Sequence, residues 1–281
     1  MNTASTNAKV YVMMDTNVII DLMLPSSHMT IIRKMYDNIR KYPAAKFITM
    51  EIIEEEIRKA LINITSDFDK LIHELVTFLK EKGINVIDIK CVWLLEEFFS
   101  IKFSSIRDQP KLYNRLLLHA SSISNFIYEL LRKRKHIKLT QFEHEIRDYI
   151  ADQYRHIEDL LILLMSDFER IDSINPIIEE CLAKKLKENK FSENDAKIIA
   201  DALYYAYSNN SWVIVVTKDY NMKRKCQELK VPLILSTPTF AVLYCELISQ
   251  LKEDYKSYFL RIRPKINNLK ECLTGPATMY G

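Results

Sequence analysis

Glycine is nearly absent from this chain: only Gly83, Gly275 and Gly281 occur among 281 residues. β-Barrels and β-sandwiches need many tight turns, and glycine adopts the backbone conformations of such turns most easily. The composition therefore argues against these folds and favours long helices joined by short connections. Phosphate-binding glycine loops are excluded as well, because neither G-x-x-x-x-G-K-[ST] nor G-x-G-x-x-G can be written anywhere in the sequence.

Cysteine pairs of the kind that bind zinc are also missing. The five cysteines are scattered along the chain, and no two of them form a C-x-x-C motif. We therefore expect reduced thiols in a cytosolic protein, without a zinc site and without disulfide bonds. The residues concerned are Cys91, Cys181, Cys226, Cys245 and Cys272.

Long apolar segments and a strong net charge are the remaining absences. No uncharged run approaches the roughly 20 residues that a membrane-spanning helix needs. No signal peptide is visible either, so we expect a cytoplasmic protein without a membrane partner. The formal net charge of +3 is too small to indicate a nucleic-acid partner by itself. A chain of 281 residues is long enough for one large domain or two.

Strand and helix patterns alternate at both ends of the chain. Short β-branched runs predict strands, and apolar residues at helical spacing predict the segments between them. This alternation predicts an α/β fold with a parallel sheet and crossover helices. The predicted strands are 9–14 (KVYVMM), 46–49 (KFIT), 212–217 (WVIVVT) and 231–235 (VPLIL), and the predicted helices are 29–42, 50–64, 192–208, 220–229 and 237–260.

The middle of the chain has a different pattern, because almost all of residues 67–189 has helical spacing. A single strand is predicted there, at 84–89 (INVIDI). We therefore predict an α/β domain that is interrupted by a large all-helical insertion. The sequence leaves open whether this insertion shapes a substrate channel, forms a homodimer or contacts another partner. The predicted parts are 1–65, the insertion at 66–189, the second part with its closing helix at 190–260, and a basic tail at 261–281.

Acidic residues stand directly after two of the predicted strands and near the start of two helices. Asp15 and Asp219 follow the strands, and ligands of parallel sheets bind outside the carboxyl ends of strands. The helices contribute the triplet at 54–56 and Asp195. Carboxylates gathered at one site resist ionising together, and a divalent cation removes that conflict. Mg²⁺ and Mn²⁺ prefer such oxygen ligands and activate water for attack at phosphorus.

Each of these acids also has a purely structural interpretation. Asp15 could begin an Asx-turn, and Asp219 could cap the helix that begins near residue 220. Asp195 fits the third position of a capping box that starts at Ser192, and residues 54–56 could form a solvated helix face. The occurrence of all four acids in this order favours the metal site. Capping and metal binding do not exclude each other at Asp195.

Four segments together resemble the PIN-domain nucleases: MMDTNVIID, FITMEIIEEEI, ENDAKIIADALYYA and VIVVTKD. The resemblance covers roughly the first 65 residues and about residues 190–245. It implies a PIN-like three-layer α/β/α fold with a central parallel sheet, and a site that binds Mg²⁺ or Mn²⁺. The metal ligands that it implies, which are also the catalytic residues, are Asp15, Glu56, Asp195 and Asp219.

The resemblance further implies that Asn17 and Thr217 orient the metal-binding carboxylates. Its glutamate position is ambiguous in this chain. Counting from the end of the second strand favours Glu55, whereas the spacing to the flanking isoleucines favours Glu56. Helical phasing puts Glu55 nearly opposite the apolar stripe of its helix and puts Glu56 beside that stripe. We choose Glu56 and keep Glu55 as the alternative.

Basic residues stand close to two of the acids in the sequence. Lys185, Lys187 and Lys190 precede Asp195, and Lys223 and Arg224 follow Asp219. We predict that these five side chains contact the phosphates of a nucleic acid without reading its bases. A solvated helix face, or cations that favour the negative end of a helix, would explain each run equally well. The same two interpretations apply to the densest basic run, at 130–138.

The expected function is that of a metal-dependent endoribonuclease acting on RNA, preferentially single-stranded, with single-stranded DNA as the alternative substrate. Three other functions remain open: a PIN-like scaffold that binds RNA or protein without cleaving, a structure-specific DNA nuclease, and a phosphohydrolase of small esters. The insertion distinguishes this chain from a minimal PIN domain. The sequence does not choose between translation arrest, RNA processing and defence as the biological role.

Overall fold

A computed structural model describes residues 10–23, 29–108, 110–171 and 175–274, and within 110–122 only the side chains of residues 117, 120 and 121. The chain forms two compact units. The first consists of Met1–Ile57 and Ile162–Gly281, and the second consists of Arg58–Leu161. Both transitions between the units lie inside long helices, α3 (Glu51–Glu81) and α6 (Leu139–Ser166). The boundaries predicted at 66 and 189 stay a prediction.

The first unit contains a five-stranded sheet in which all neighbouring strands run parallel. The predicted α/β class with a parallel sheet is confirmed. The strand order is β5-β2-β1-β6-β7. The strands are β1 (Val10–Met14), β2 (Ala45–Thr49), β5 (Glu169–Arg170), β6 (Trp212–Val216) and β7 (Ile234–Ser236).

Two adjacent strands, β1 and β6, form the core of this sheet. Every residue of both strands is buried, as expected for apolar β-branched strands covered on both faces. Their parallel register pairs Met14 with Val216. The next residue of each strand, Asp15 and Thr217, therefore leaves the sheet at the same level.

Helices connect these strands and close the unit. Two differences from the sequence-based prediction concern their ends. The helix predicted over 50–64 continues to Glu81. The helix predicted over 237–260 is two helices, and the second begins after Asp254, whose carboxylate accepts a hydrogen bond from the amide of Ser257 at 2.9 Å. The helices are α1 (Thr16–Met23), α2 (Met29–Arg40), α7 (Pro176–Glu188), α8 (Glu193–Ser208), α9 (Tyr220–Glu228), α10 (Pro238–Ser249), α11 (Tyr255–Arg261) and α12 (Leu269–Thr274).

The expectation of five reduced cysteines is wrong for two of them. Cys181 of α7 and Cys272 of α12 form a disulfide. They are 91 residues apart in the sequence, and the packing of α12 on α7 brings their Cα atoms to 5.8 Å. Local spacing carries no information about such a pair. Part of the predicted basic tail is therefore the packed helix α12. The other three cysteines, Cys91, Cys226 and Cys245, are free and buried.

The second unit is mainly helical. It holds α4 (Val92–Ser105), α5 (Pro110–Arg134) and much of α3 and α6, together with the antiparallel strands β3 (Val86–Asp88) and β4 (His136–Lys138). The strand predicted at 84–89 is thus present, and its partner β4 was not predicted because it is only three residues long and two of these are polar. Gly83 ends α3 in a left-handed conformation with φ of 75°, which glycine adopts at little cost. Within the described ranges, no helix is both long and apolar enough to cross a membrane.

Candidate functional site

Asp15 lies directly after the central strand β1 and is only 5 % exposed. Its amide donates to the carbonyl of Val216 at 2.9 Å, and its own carbonyl accepts from Val18 at 2.9 Å. The main chain of Asp15 therefore both ends the strand pairing and begins α1. Its carboxylate has a different partner, since Oδ2 accepts a hydrogen bond from the hydroxyl of Thr217 at 2.8 Å.

Thr217 holds the corresponding position after β6 and is 1 % exposed. Its hydroxyl donates to Asp15 and accepts from the amide of Asp219 at 2.9 Å. One buried hydroxyl thus connects the two acids that follow the central strands. The contact expected for Thr217 is present, and its role in orienting a metal ligand stays a prediction. Asn17, which was expected to act in the same way, lies exposed on α1.

Glu56 is the member of the glutamate triplet that points to this edge of the sheet. Thr16 donates its hydroxyl to Oε2 of Glu56 at 2.7 Å, and the side-chain amide of Asn194 donates to Oε1. Glu56 thereby connects α3 to the first turns of α1 and α8. Glu55 is exposed, and Glu54 lies 3.9 Å from Arg170 of β5. The choice of Glu56 over Glu55 as a metal ligand stays a prediction.

Asp195 lies in the first turn of α8 and is half-buried. Its amide donates to the hydroxyl of Ser192 at 3.1 Å, so the predicted N-cap at Ser192 is confirmed. The carboxylate of Asp195 is close enough to act on two neighbours. Its negative charge raises the pKa of Asp15, and it adds to burial in raising the pKa of the Cys226 thiol to about 12.

Asp219 uses its carboxylate as a helix cap. Its Oδ1 accepts from the amides of Asn221 at 2.7 Å and Met222 at 3.0 Å, at the start of α9. The structural interpretation of Asp219 is therefore realised in this arrangement. The carboxylates of Glu56 and Asp195, by contrast, both raise the pKa of Asp15.

The electrostatics of the site follow from burial and from like charges. Burial is the largest cause that raises the pKa of Asp15, and the carboxylates of Glu56 and Asp195 raise it further. Hydrogen bonds from the Thr217 hydroxyl and from the Thr16 amide oppose this rise, because they stabilise the ionised form. The net result is a raised pKa, so the ionised form of Asp15 is less favourable than that of a free aspartate.

The donor atoms at this edge are carboxylate and hydroxyl oxygens, which suit a hard divalent cation. Their present arrangement is held by hydrogen bonds. Among the residues that the structure describes, no three His, Cys, Asp or Glu side chains come together closely enough to hold a metal ion. The structure thus brings Glu56 and Asp195 within electrostatic range of Asp15, and the carboxylate of Asp219 caps α9.

The basic residues predicted to contact phosphates lie on α7, α9 and the turn before α8. Lys185, Lys187 and Arg224 each lie next to an acid, at 3.3 Å from Glu188, 2.9 Å from Glu193 and 3.7 Å from Glu228. Exposed pairs of this kind are weak and exchange readily. Lys190 has a left-handed backbone with φ of 67°, and its carbonyl accepts from the Lys225 ammonium. Lys223 is half-buried on α9.

Sequence reasoning missed three side chains at this edge. Thr16 and Asn194 hold Glu56, and the Lys218 ammonium forms an ion pair with Asp21 of α1. Each of them stands inside or beside a motif that was recognised, as the middle residue of D-T-N, the third of S-E-N-D and the middle of T-K-D. Their positions in the motifs were the available signal, but only the packing of α1, α3 and α8 shows the partners.

No family model matches this sequence, and no curated protein or solved structure is significantly similar to it.

Proposed function

We propose that this protein is a metal-dependent nuclease of the PIN type that cleaves RNA. The observation that carries the proposal is the environment of Asp15. A buried carboxylate ends the central strand, and two further carboxylates, Glu56 and Asp195, are close enough to raise its pKa. Such a group of acids is unfavourable without a cation and becomes favourable with one.

The proposed fold is a PIN-like three-layer α/β/α domain formed by the first unit. The parallel sheet, the order of the motifs along the chain and the acids at the carboxyl ends of β1 and β6 support it. In such sheets the crevice outside the carboxyl ends of the strands is the usual binding place. The second unit would then be an insertion between β2 and β5 of the nuclease domain.

Asp15, Glu56 and Asp195 would hold the Mg²⁺ or Mn²⁺ ion, and Asp219 would join them from the start of α9. When bound, the ion would lower the pKa of a coordinated water and stabilise the charge that develops at phosphorus. The residues around the ligands fix their positions: Thr217 holds Oδ2 of Asp15, and Thr16 and Asn194 hold Glu56. To bind the ion, the Glu56 carboxylate would release the hydrogen bonds that it now accepts from Thr16 and Asn194.

The test uses the full chain with a labelled single-stranded RNA, in Mn²⁺ and in EDTA. We expect cleavage in Mn²⁺ only. Asp15→Asn keeps the shape of the side chain and removes its charge, so it should lower the rate by about a thousandfold and weaken Mn²⁺ binding in calorimetry. Asp201→Asn is the matched control, because Asp201 is equally buried in the same unit and stands outside the proposed site. Its rate should stay within about twofold of the wild type.

Equal cleavage by Asp15→Asn and the wild type, or cleavage that persists in EDTA, would contradict the proposal. Single-stranded DNA and a forked DNA duplex, offered in parallel, separate an RNA nuclease from a DNA nuclease. A phosphate monoester in the same assay detects a phosphohydrolase of small substrates.

A second candidate function is an RNA- or protein-binding scaffold that does not cleave. Two observations favour it: Glu56 is already engaged by two hydrogen-bond donors, and Asp219 caps α9 with Oδ1. RNA binding in EDTA together with an absence of Mn²⁺ binding and cleavage would select the scaffold. Mn²⁺-dependent cleavage would exclude it.

A further inference from the structure

The second unit contains a surface pocket between the turn that follows β3 and the C-terminal end of α5. Its volume is about 610 Å³, comparable to that of sites that bind small molecules. The pocket combines apolar and basic side chains. It is lined by Ile89, Tyr128, Glu129, Leu131, Arg132 and Lys135.

The β3–β4 pairing creates this pocket. Asp88 pairs with His136 in the antiparallel register, so the residues just beyond this pair, Ile89 and Lys135, are neighbours. Lys135 has a left-handed backbone with φ of 52°, which turns the chain from α5 into β4. Arg132, in the last turn of α5, then stands on the same side as the turn at Ile89.

Two of the apolar side chains that line the pocket are largely exposed. Ile89 is 59 % exposed and Tyr128 is 57 % exposed, whereas Leu131 is buried beneath them. An exposed aromatic ring at the edge of a groove is a surface on which a flat group can stack. In proteins that bind single strands, aromatic side chains of this kind stack on bases while nearby cations follow the phosphates.

The basic residues near the pocket favour a negatively charged ligand. Residues 128–138 contain five Lys or Arg and one acid, Glu129. Two of these cations have acidic partners, since Lys133 lies 3.9 Å from Glu129 and Arg134 lies 2.5 Å from Glu145. Within the described part of the chain, the two cations that line the pocket, Arg132 and Lys135, form no ion pair.

The favourable position of cations at a helix C-terminus accounts for part of this charge. It does not account for the exposure of Tyr128 and Ile89 around an open pocket beside Arg132 and Lys135. A ligand that carries both negative charge and flat apolar groups matches both features. Single-stranded nucleic acid has this chemistry.

We propose that this pocket binds single-stranded nucleic acid, with Tyr128 stacking on a base and Arg132 and Lys135 contacting phosphates. The inference goes beyond the proposed nuclease site, because it concerns the other compact unit. It also stands without that site, because the binding is measured with divalent ions removed.

The experiment measures binding of the full chain in EDTA by fluorescence anisotropy, with labelled oligouridylate and oligothymidylate of about 12 nucleotides. Tyr128→Ala should raise the Kd at least about fivefold, because it removes the stacking surface. Tyr128→Phe keeps the ring and should stay within about twofold of the wild type. Arg132→Gln with Lys135→Gln should lower the slope of log Kd against log salt by about 1.4, which corresponds to two lost phosphate contacts.

Arg132→Gln is also measured alone, and Arg155→Gln is its matched control, because Arg155 is an exposed cation of the same unit that lies outside the pocket. We expect a change of less than about twofold for the control. The proposal is overturned by unchanged binding in Tyr128→Ala, by equal losses in both arginine variants, or by absence of binding to either oligonucleotide. A polyglutamate peptide that binds as tightly as RNA and ignores Tyr128→Ala would point to an acidic protein partner instead, which also overturns it.

The two oligonucleotides separate the sources of the same chemistry, since tighter binding of oligouridylate indicates RNA. Failure of the nuclease proposal leaves this test unaffected, because no cleavage enters the measurement. Failure of this inference likewise leaves the Mn²⁺-dependent cleavage test intact.

Discussion

Asp15 and Asp201 are both buried aspartates of the first unit, with exposed fractions of 5 % and 6 %, and burial raises the pKa of both. Their surroundings differ. Asp15 stands at the carboxyl edge of the sheet, accepts a hydrogen bond from Thr217 and feels two further carboxylates. Asp201 lies inside α8, and within the described part of the chain its Oδ1 has no hydrogen-bond partner.

The charge of Glu179 of α7 raises the pKa of Asp201, and the charge of Lys197 of α8 lowers it. Burial and Glu179 together raise the pKa of Asp201 to about 8. A buried acid with a raised pKa is therefore not by itself a functional site. Asp15 is a candidate because donors and other acids converge on it from separate segments, whereas Asp201 is an acid kept neutral between two helices.

The largest expected effect concerns the loss of stability as the pH rises from about 4 to about 8. Because the pKa of Asp201 is about 8 in the folded protein and near 3.8 in the unfolded chain, the folded state holds the extra proton between these values. Wild-type stability should therefore fall as pH rises through this window. Asp201→Asn removes the penalty and should be more stable by on the order of 3 kcal/mol near pH 8, with a smaller gain near pH 5.

Urea unfolding at several pH values between about 5 and 9 measures this difference. A gain in Asp201→Asn that is the same at every pH would show that Asp201 does not titrate in this window. Asp15→Asn serves as the comparison, since the direction of its pKa shift predicts a gain of the same sign. Cleavage assays on both variants then separate the structural acid from the site acid.

The second effect separates two adjacent glutamates of α3. Glu56→Gln should lower Mn²⁺-dependent cleavage by about a hundredfold, because it removes a charge next to Asp15 while keeping the acceptor for Thr16. Glu55→Gln removes the same charge from the exposed neighbouring position and should change the rate by less than about twofold. Single-turnover rates for both variants measure the difference, and the reverse order would assign the site to Glu55.

The smallest effect tests the support of Asp15. Thr217→Val keeps the size of the side chain and removes the hydroxyl that donates to Asp15 and accepts from Asp219. We expect roughly tenfold weaker Mn²⁺ affinity, as for other residues that hold a metal ligand in place. Thr217→Ser restores the hydroxyl and should restore the affinity. If Thr217→Ser binds Mn²⁺ as weakly as Thr217→Val, the hydroxyl alone does not support the affinity, which contradicts the role assigned to the hydrogen bond.

Several elements could be predicted because their signals are local. β1 and β6 were recognised from runs of β-branched residues, and Ser192 was recognised as a helix cap from its spacing to Asp195. β5 was missed because it is two charged residues long, and its pairing with Ile48 and Thr49 of β2 defines it as a strand. An edge strand of this length has no periodicity to detect.

The site itself was predictable in its residue types and only partly in its contacts. The position of Asp15 after β1 follows from the sequence, and the parallel register then places it level with Thr217. The partners of Glu56 did not follow, because Thr16 and Asn194 lie 40 and 138 residues away in the chain. The capping role of Asp219 was recognised as an alternative and is the arrangement present.

By itself, the sequence determined that apolar strands end at acids, that helices follow them and that glycine loops are absent, because propensity and periodicity act between residues close together in the chain. The tertiary structure determined which acids lie close together. It brought Glu56 and Asp195 toward Asp15, paired Cys181 with Cys272 and buried Asp201 between two helices. These outcomes depend on the packing of distant segments, whose distances no local pattern encodes.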